Sequence, residues 1–193
     1  MTQTGKEKET SITGGKRSAT LDRTRAYMGS TMSTLIHGKE TGGRINFMEY
    51  KAKPGNEPPP HIHKWENEIY YLLEGTLEFF CEGMPGSAIV DPNGMMVIPA
   101  GKAHAFYIHS PVIRTILMTQ ATGEEPVRLD SYFTEMSEPA KKLEMDQGQE
   151  TYAEVDLHKA TELAEQNGMN MLSPEETAKL LPDYPGFGTN LKQ

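Results

Sequence analysis

The sequence predicts a mainly β protein: an antiparallel barrel of jelly-roll type followed by a C-terminal helical extension. Two observations carry this. From about Leu21 to Thr119 the chain breaks into short runs of β-branched and aromatic residues, regularly spaced and separated by glycine or proline, the pattern of an antiparallel sandwich or barrel rather than a parallel sheet. After about Gly123 the apolar residues recur with helical spacing instead. The expected division is a flexible polar tail over residues 1–19, a barrel over 20–123 and a helical extension over 124–193 packed on the barrel.

Taken in order, residues 1–19 are rich in Thr, Lys, Glu, Ser and Gly and have too few apolar groups to offset the entropy of ordering. Strands then begin with R-A-Y-M, T-L-I-H and R-I-N-F-M-E-Y-K, leaving residues 26–36 without an obvious partner. The next are expected over residues 68–73, 76–81, 87–90, 95–98, 104–109 and 112–119. Glu74-Gly75 reads as a tight hairpin, and Asp91-Pro92-Asn93-Gly94 as a further turn. Beyond the barrel, residues 126–136 place Val127, Leu129, Phe133 and Met136 on one helical stripe, and residues 154–166 repeat the pattern until Gly168 closes it. A charged linker over residues 144–150 separates the two. Ser173-Pro174-Glu175-Glu176 is a capping box with proline at the first helical position.

Composition narrows the classes of function. A chain of 193 residues accommodates one well-buried domain with appendages. Its net charge of −8, from 27 acidic against 19 basic residues, argues against a nucleic-acid surface and against binding to anionic membranes. The single cysteine, Cys81, excludes an internal disulfide and reads as a small buried hydrophobe. No apolar run approaches the roughly 20 residues of a membrane span, and the polar N-terminus lacks a signal-peptide core. The expectation is a cytoplasmic protein with small-molecule partners.

The chemistry concentrates in G-N-E-P-P-P-H-I-H-K-W-E-N-E-I-Y-Y-L-L-E-G, from Gly55 to Gly75. In an extended chain, side chains at i and i+2 share a face about 6.6 Å apart, so His61 and His63 can aim at one point. Glu68 returns to that point on what reads as the neighbouring strand. A fourth candidate, His104, follows in P-A-G-K-A-H, where Pro99 and Gly101 make a turn. Three imidazoles and a carboxylate suit one divalent transition metal, whether Mn, Fe, Co, Ni, Cu or Zn. Strand parity adds Tyr70 and Leu72 to the inward face of Glu68, and Phe106 and Ile108 to that of His104, as an apolar substrate pocket. On residues 76–82 the inward set is Leu77, Phe79 and Cys81. Phe80 falls on the polar side and needs a cover, for which the helical tail is the candidate. His37, His109 and His158 have no such partners by spacing and read as surface or satisfied histidines. Trp65 reads equally as a lid over the site or as packing at the barrel rim.

These residues resemble the cupin family. Gly55, His61, His63, Glu68 and Gly75 match its first motif, G-x5-H-x-H-x4-E-x6-G, position for position, and Pro99, Gly101 and His104 match the second. Gly94 precedes the proline by one residue fewer than that motif asks, and Ile108 stands where it has asparagine. The resemblance covers roughly residues 40 to 120 and implies a cupin-type barrel with the four ligands already named.

A single barrel with a polar arm and helical tail is similar, more loosely, to the monocupin quercetin 2,3-dioxygenases. Residues 160–174, A-T-E-L-A-E-Q-N-G-M-N-M-L-S-P, look like their tail, with Asn167 where an aromatic is common. That likeness implies a flavonol bound through its 3-hydroxyl, Glu68 taking the proton, attack by O2 and loss of carbon monoxide. The dry surroundings are expected to raise the Glu68 pKa. A homodimer through barrel strands is expected by analogy with two-barrel relatives. A lyase, isomerase or cyclase using the metal as a Lewis acid, and a non-enzymatic ligand-binding cupin, are the alternative classes.

Overall fold

The computed structural model describes residues 12–145 and 157–189. Of the segments singled out above, residues 1–11 of the tail, most of the linker at 144–150 and residues 154–156 of the second helix lie outside this range. Residues 12–19 carry neither helix nor strand, and Arg17 meets Glu40 at 3.3 Å.

The strands are β1 (Thr24–Tyr27), β2 (Ser30–Ile36), β3 (Ile45–Ala52), β4 (His61–His63), β5 (Glu66–Glu74), β6 (Leu77–Cys81), β7 (Ala88–Val90), β8 (Met95–Ile98), β9 (Ala103–Ile108) and β10 (Ile113–Ala121). After them come α1 (Leu129–Met136), β11 (Glu138–Pro139), α2 (Leu157–Gln166), β12 (Met169–Met171) and α3 (Pro174–Leu180). One sheet has seven strands in the order β11-β1-β2-β3-β10-β5-β8, and the other five in the order β12-β4-β9-β6-β7. Every pairing is antiparallel. The fold is therefore the mainly β, jelly-roll barrel with C-terminal helices that the sequence predicts.

Period-two patterning is clean where it matters. Along β5, Glu66, Glu68, Tyr70 and Leu72 are buried while the residues between them are not; β10 does the same through Ile113, Thr115, Leu117 and Thr119. Inward residues of the two sheets meet in one core, among them Met48, Leu72, Leu77, Phe79, Phe106 and Ile113. The outer face of β9 is buried as well. Phe80, Ala105 and Tyr107 pack there under Leu181 and Tyr184 from the end of the chain, so Phe80 has the cover its position demands.

Three local expectations are corrected. Glu74-Gly75 does not close a hairpin: β5 and β6 belong to different sheets. Gly75 instead turns the chain across the barrel at φ +87°, where a Cβ would stand 2.4 Å from the Val112 carbonyl oxygen. Likewise β4 and β5 are not neighbours in a sheet. His61 and His63 sit on the five-stranded sheet and Glu68 on the seven-stranded one, because residues 64 and 65 carry the chain from one layer to the other. Helix α1 begins at Leu129 and not at residue 126.

Candidate metal centre

His61 and His63 reach the interior from β4, His104 from β9 directly opposite His61, and Glu68 from β5 on the facing sheet. Four ligand atoms, one from each residue, lie within 4.8 Å of one another, and all four residues are buried. Metal–ligand bonds of about 2.1 Å allow ligand atoms on opposite sides of an ion to stand roughly 4.2 Å apart. Closure by about half an ångström therefore makes one coordination sphere.

Each imidazole is held by its Nδ1 atom. His61 Nδ1 is 2.9 Å from the Pro59 carbonyl, His104 Nδ1 is 3.1 Å from the Lys102 carbonyl, and His63 Nδ1 is 3.4 Å from Glu66 Oε1. These acceptors favour the tautomer with the proton on Nδ1, leaving Nε2 free for a ligand role. His63 Nε2, His104 Nε2 and Glu68 Oε2 are buried without a hydrogen-bond partner. Glu68 Oε2 does stand 3.0 Å from His104 Nε2, an ion-pair distance, but outside hydrogen-bond geometry. Buried polar atoms left unpaired are costly, and an ion placed among them would satisfy all three. The residues present therefore fit a single divalent ion.

Charge in the site is mutually controlled. Burial, reinforced by His104 and His63, holds the His61 imidazole well below its usual pKa. Burial also pulls His63 down, but the carboxylates of Glu68 and Glu66 outweigh it and leave His63 raised. For Glu68, burial pushes the pKa up, yet His63, His104 and His61 bring it down to about 2. The expected rise is thus overturned: three imidazoles within contact range outweigh desolvation.

Beside the ligands lies a cavity of about 40 Å³. Its lining includes His61, Glu68, Tyr70 and Phe106, with Tyr27, Tyr50, Leu117, Leu129, Tyr132, Phe133, Met169 and Met171. Two of the residues expected in the pocket, Tyr70 and Phe106, are there. Leu72 and Ile108 are not: they lie further along the same faces, where the core is already filled. The sequence reading missed Glu66, whose spacing of i+3 from His63 was a usable signal, and missed the tail's share in the wall. β12 pairs with the ligand strand, Met169 opposite His63 and Met171 opposite His61. The alternation in N-G-M-N-M is its only trace in the sequence.

Trp65 does not line the cavity. Its Nε1 donates to the Pro126 carbonyl at 3.0 Å, and its ring covers Gly168 so closely that a Cβ there would meet it at 2.3 Å. His37, His109 and His158 each face a carboxylate, of Asp130, Glu78 and Glu162 respectively. Burial pushes the half-buried Cys81 thiol up, away from reactivity.

Residues 48–118 match the family model of the cupin domain. Those residues are a cupin domain. Two curated relatives, each named a probable oxidoreductase patJ, come from Penicillium expansum and Aspergillus clavatus. Each is 30% identical over 80 residues, 40% of this chain. The match takes in 24% of their length, so this cupin corresponds to about a quarter of each relative. Among solved structures, KdgF from Halomonas sp. is 20% identical with a TM-score of 0.42, over 48% of this chain and 81% of that one. An oxalate oxidase in complex with glycolate is 22% identical with a TM-score of 0.42, over 51% and 54%.

Proposed function

We propose that this cupin is a metal-dependent dioxygenase that cleaves a planar, enolisable aromatic substrate of the flavonol type with O2. The observation that carries the reading is that His61 and Glu68 belong both to the four-residue cluster and to the wall of an apolar, aromatic cavity. A structural site has no use for such an opening, whereas a substrate needs one. The naming of the partial relatives as probable oxidoreductases supports the same class.

A divalent ion held by His61, His63, Glu68 and His104 would supply Lewis acidity toward a substrate hydroxyl and a route for reaction with dioxygen. The three imidazoles, tethered through Nδ1, keep their positions, and Glu68 faces them from the opposite sheet. Glu68, ionised at neutral pH, would accept the hydroxyl proton at a carboxylate oxygen once the ion has acidified that hydroxyl. Tyr70, Phe106 and Leu117 offer flat apolar walls to the ring and exclude water. With a flavonol, both atoms of O2 enter the ester product and one ring carbon leaves as carbon monoxide.

Size favours a refinement. A void of about 150 Å³ accepts benzene, and the present cavity of about 40 Å³ is smaller. Substrate entry therefore requires Met169, Met171 and Leu129 to move outward, and single-ring enols enter more readily than a three-ring flavonol. The same observation keeps the second reading in view, a Lewis-acid lyase, isomerase or cyclase for a small substrate.

Elemental analysis should find one divalent metal per chain, lost in the His61→Ala, His104→Ala double variant; full retention there refutes the site. Oxygen uptake with flavonols and single-ring enols separates the two readings, and its absence with every such substrate moves the assignment to the non-oxidative class. We place the protein in the cytoplasm as a homodimer. No helix among the described residues is long and apolar enough to cross a membrane. The dimer contact is assigned to edge strands β7 and β8, which expose Ile89, Met95 and Val97, since the opposite edge at β1 is covered by β11. Sedimentation at the 21.5 kDa monomer mass refutes it.

A further inference from the structure

One row across the seven-stranded sheet is anomalous. Asn46 on β3 faces Thr119 on β10, and Thr119 faces Glu68 on β5. Residues opposite one another share a face with Cβ atoms about 4.5–5.5 Å apart, so all three point into the barrel. Asn46 and Thr119 are completely buried, and Asn46 Nδ2, Asn46 Oδ1 and Thr119 Oγ1 have no hydrogen-bond partner. Neither residue lines the cavity beside the ligands. Glu68 Oε2, in the same row, is the fourth unpartnered atom. With Glu68 Oε2 satisfied by the ion, the three atoms of Asn46 and Thr119 remain in this row and call for a common partner.

We propose that Asn46 and Thr119 hold one ordered water against Glu68 and thereby fix the direction of its carboxylate. The chemistry balances: a buried water makes about three hydrogen bonds. This one accepts from Thr119 Oγ1 or Asn46 Nδ2 and donates to Asn46 Oδ1 and to a Glu68 oxygen. A carboxylate that ligates through one oxygen leaves the other needing a donor, and such outer partners orient the ligand. The Tyr70 hydroxyl is one donor to Glu68, and the water adds a second, supplied from the sheet opposite the three histidines. Asn46 and Thr119 are then positioning residues, acting through Glu68. The inference rests on the four-residue cluster being a metal site and is independent of the reaction assigned to it.

The test uses Thr119→Val, which keeps the shape and removes the hydroxyl, with Thr119→Ser as the conservative rescue. If the hydroxyl is unpaired, valine relieves a buried polar group and the melting temperature stays level or rises. If it holds the water, the metal-free Val variant melts roughly 3 °C or more below the parent. Protein loaded with Co(II) should also show a visible spectrum displaced from the parent's in Thr119→Val and restored in Thr119→Ser. Both effects are required, and the absence of either overturns the proposal. A high-resolution map of the metal-free parent provides an independent reading. A water within about 3.2 Å of Thr119 Oγ1 is expected there, and an empty map overturns the proposal whatever the metal does. A parent that takes up no cobalt overturns the metal site itself, a distinct result obtained before any variant is compared.

Discussion

Gly168→Ala tests how the C-terminal strand is fastened to the ligand strand. Gly168 has φ +78°, and a Cβ there would lie 2.3 Å from Cζ2 of Trp65 and 2.6 Å from two further ring atoms. Two costs follow. The left-handed backbone costs about 1–2 kcal/mol for a residue with a Cβ, and forcing the indole aside costs about 1–3 kcal/mol as overpacking. The ring is not free to yield, being tied to Pro126, while the Trp65 carbonyl accepts from Thr122 N at 2.9 Å. A total of about 2–5 kcal/mol lowers the melting temperature by roughly 4–20 °C for a chain of this size. Gly83→Ala is the control: its φ is +86°, but nothing lies within 4 Å of its Cβ position, so it carries the backbone cost alone. Trp65 is the only tryptophan, and its emission reports this contact without interference. Thermal unfolding and fluorescence of the two variants decide the matter. Equal melting temperatures, with Trp65 emission unshifted in Gly168→Ala, would refute the latch.

Three further outcomes are expected. Glu66→Gln keeps the shape beside His63 Nδ1 but removes the charge, and should weaken Zn(II) affinity about 10–100-fold; a competition titration with a chromogenic chelator measures it. Ending the chain after residue 172 uncovers Phe80 and Tyr107. Losing roughly 1.5–3 kcal/mol of burial at Phe80 alone should lower the melting temperature and increase binding of a hydrophobic dye. Burial pushes the Asp130 carboxyl up, but His37 at 3.3 Å and the Gly38 N–H at 3.0 Å outweigh it and hold its pKa below the ordinary 3.8. A depressed carboxyl stabilises the fold above its unfolded pKa, and that contribution is lost as pH falls through the folded value. Asp130→Asn should therefore melt lower at pH 7, with the gap to the parent narrowing below pH 4 in parallel melting curves.

Legibility in the sequence followed sequence distance. The alternation of Glu66, Glu68, Tyr70 and Leu72 is a property of one strand, so which side faces inward could be read directly. Likewise Phe80 announced itself as an apolar residue on a polar face. What escaped was pairing. Nothing local in His61-Ile62-His63 says that its edges are taken by β9 and β12, or that Glu68 lies across the barrel instead of alongside. The Glu74-Gly75 turn failed for the same reason: a glycine at φ +87° serves a hairpin or a crossover equally well, and only Val112 pressing on it distinguishes them. The depressed pKa of Glu68 was hidden too, because it depends on how many imidazoles converge, a three-dimensional quantity.

The pairing of β12 with β4 also bears on the order of events in folding. Met169 and His63 are separated by roughly a hundred residues, so this contact carries a large loop-closure entropy and forms late. During synthesis the barrel strands through Ala121 leave the ribosome well before Met171 does. Until then His61 and His63 lie on a sheet edge with one flank unpaired, and the cavity wall lacks both methionines. The histidines therefore acquire their fixed surroundings only once Met169 to Met171 have been made and paired, so an ion captured earlier meets a looser, wetter and more exchangeable set of ligands than the folded barrel presents.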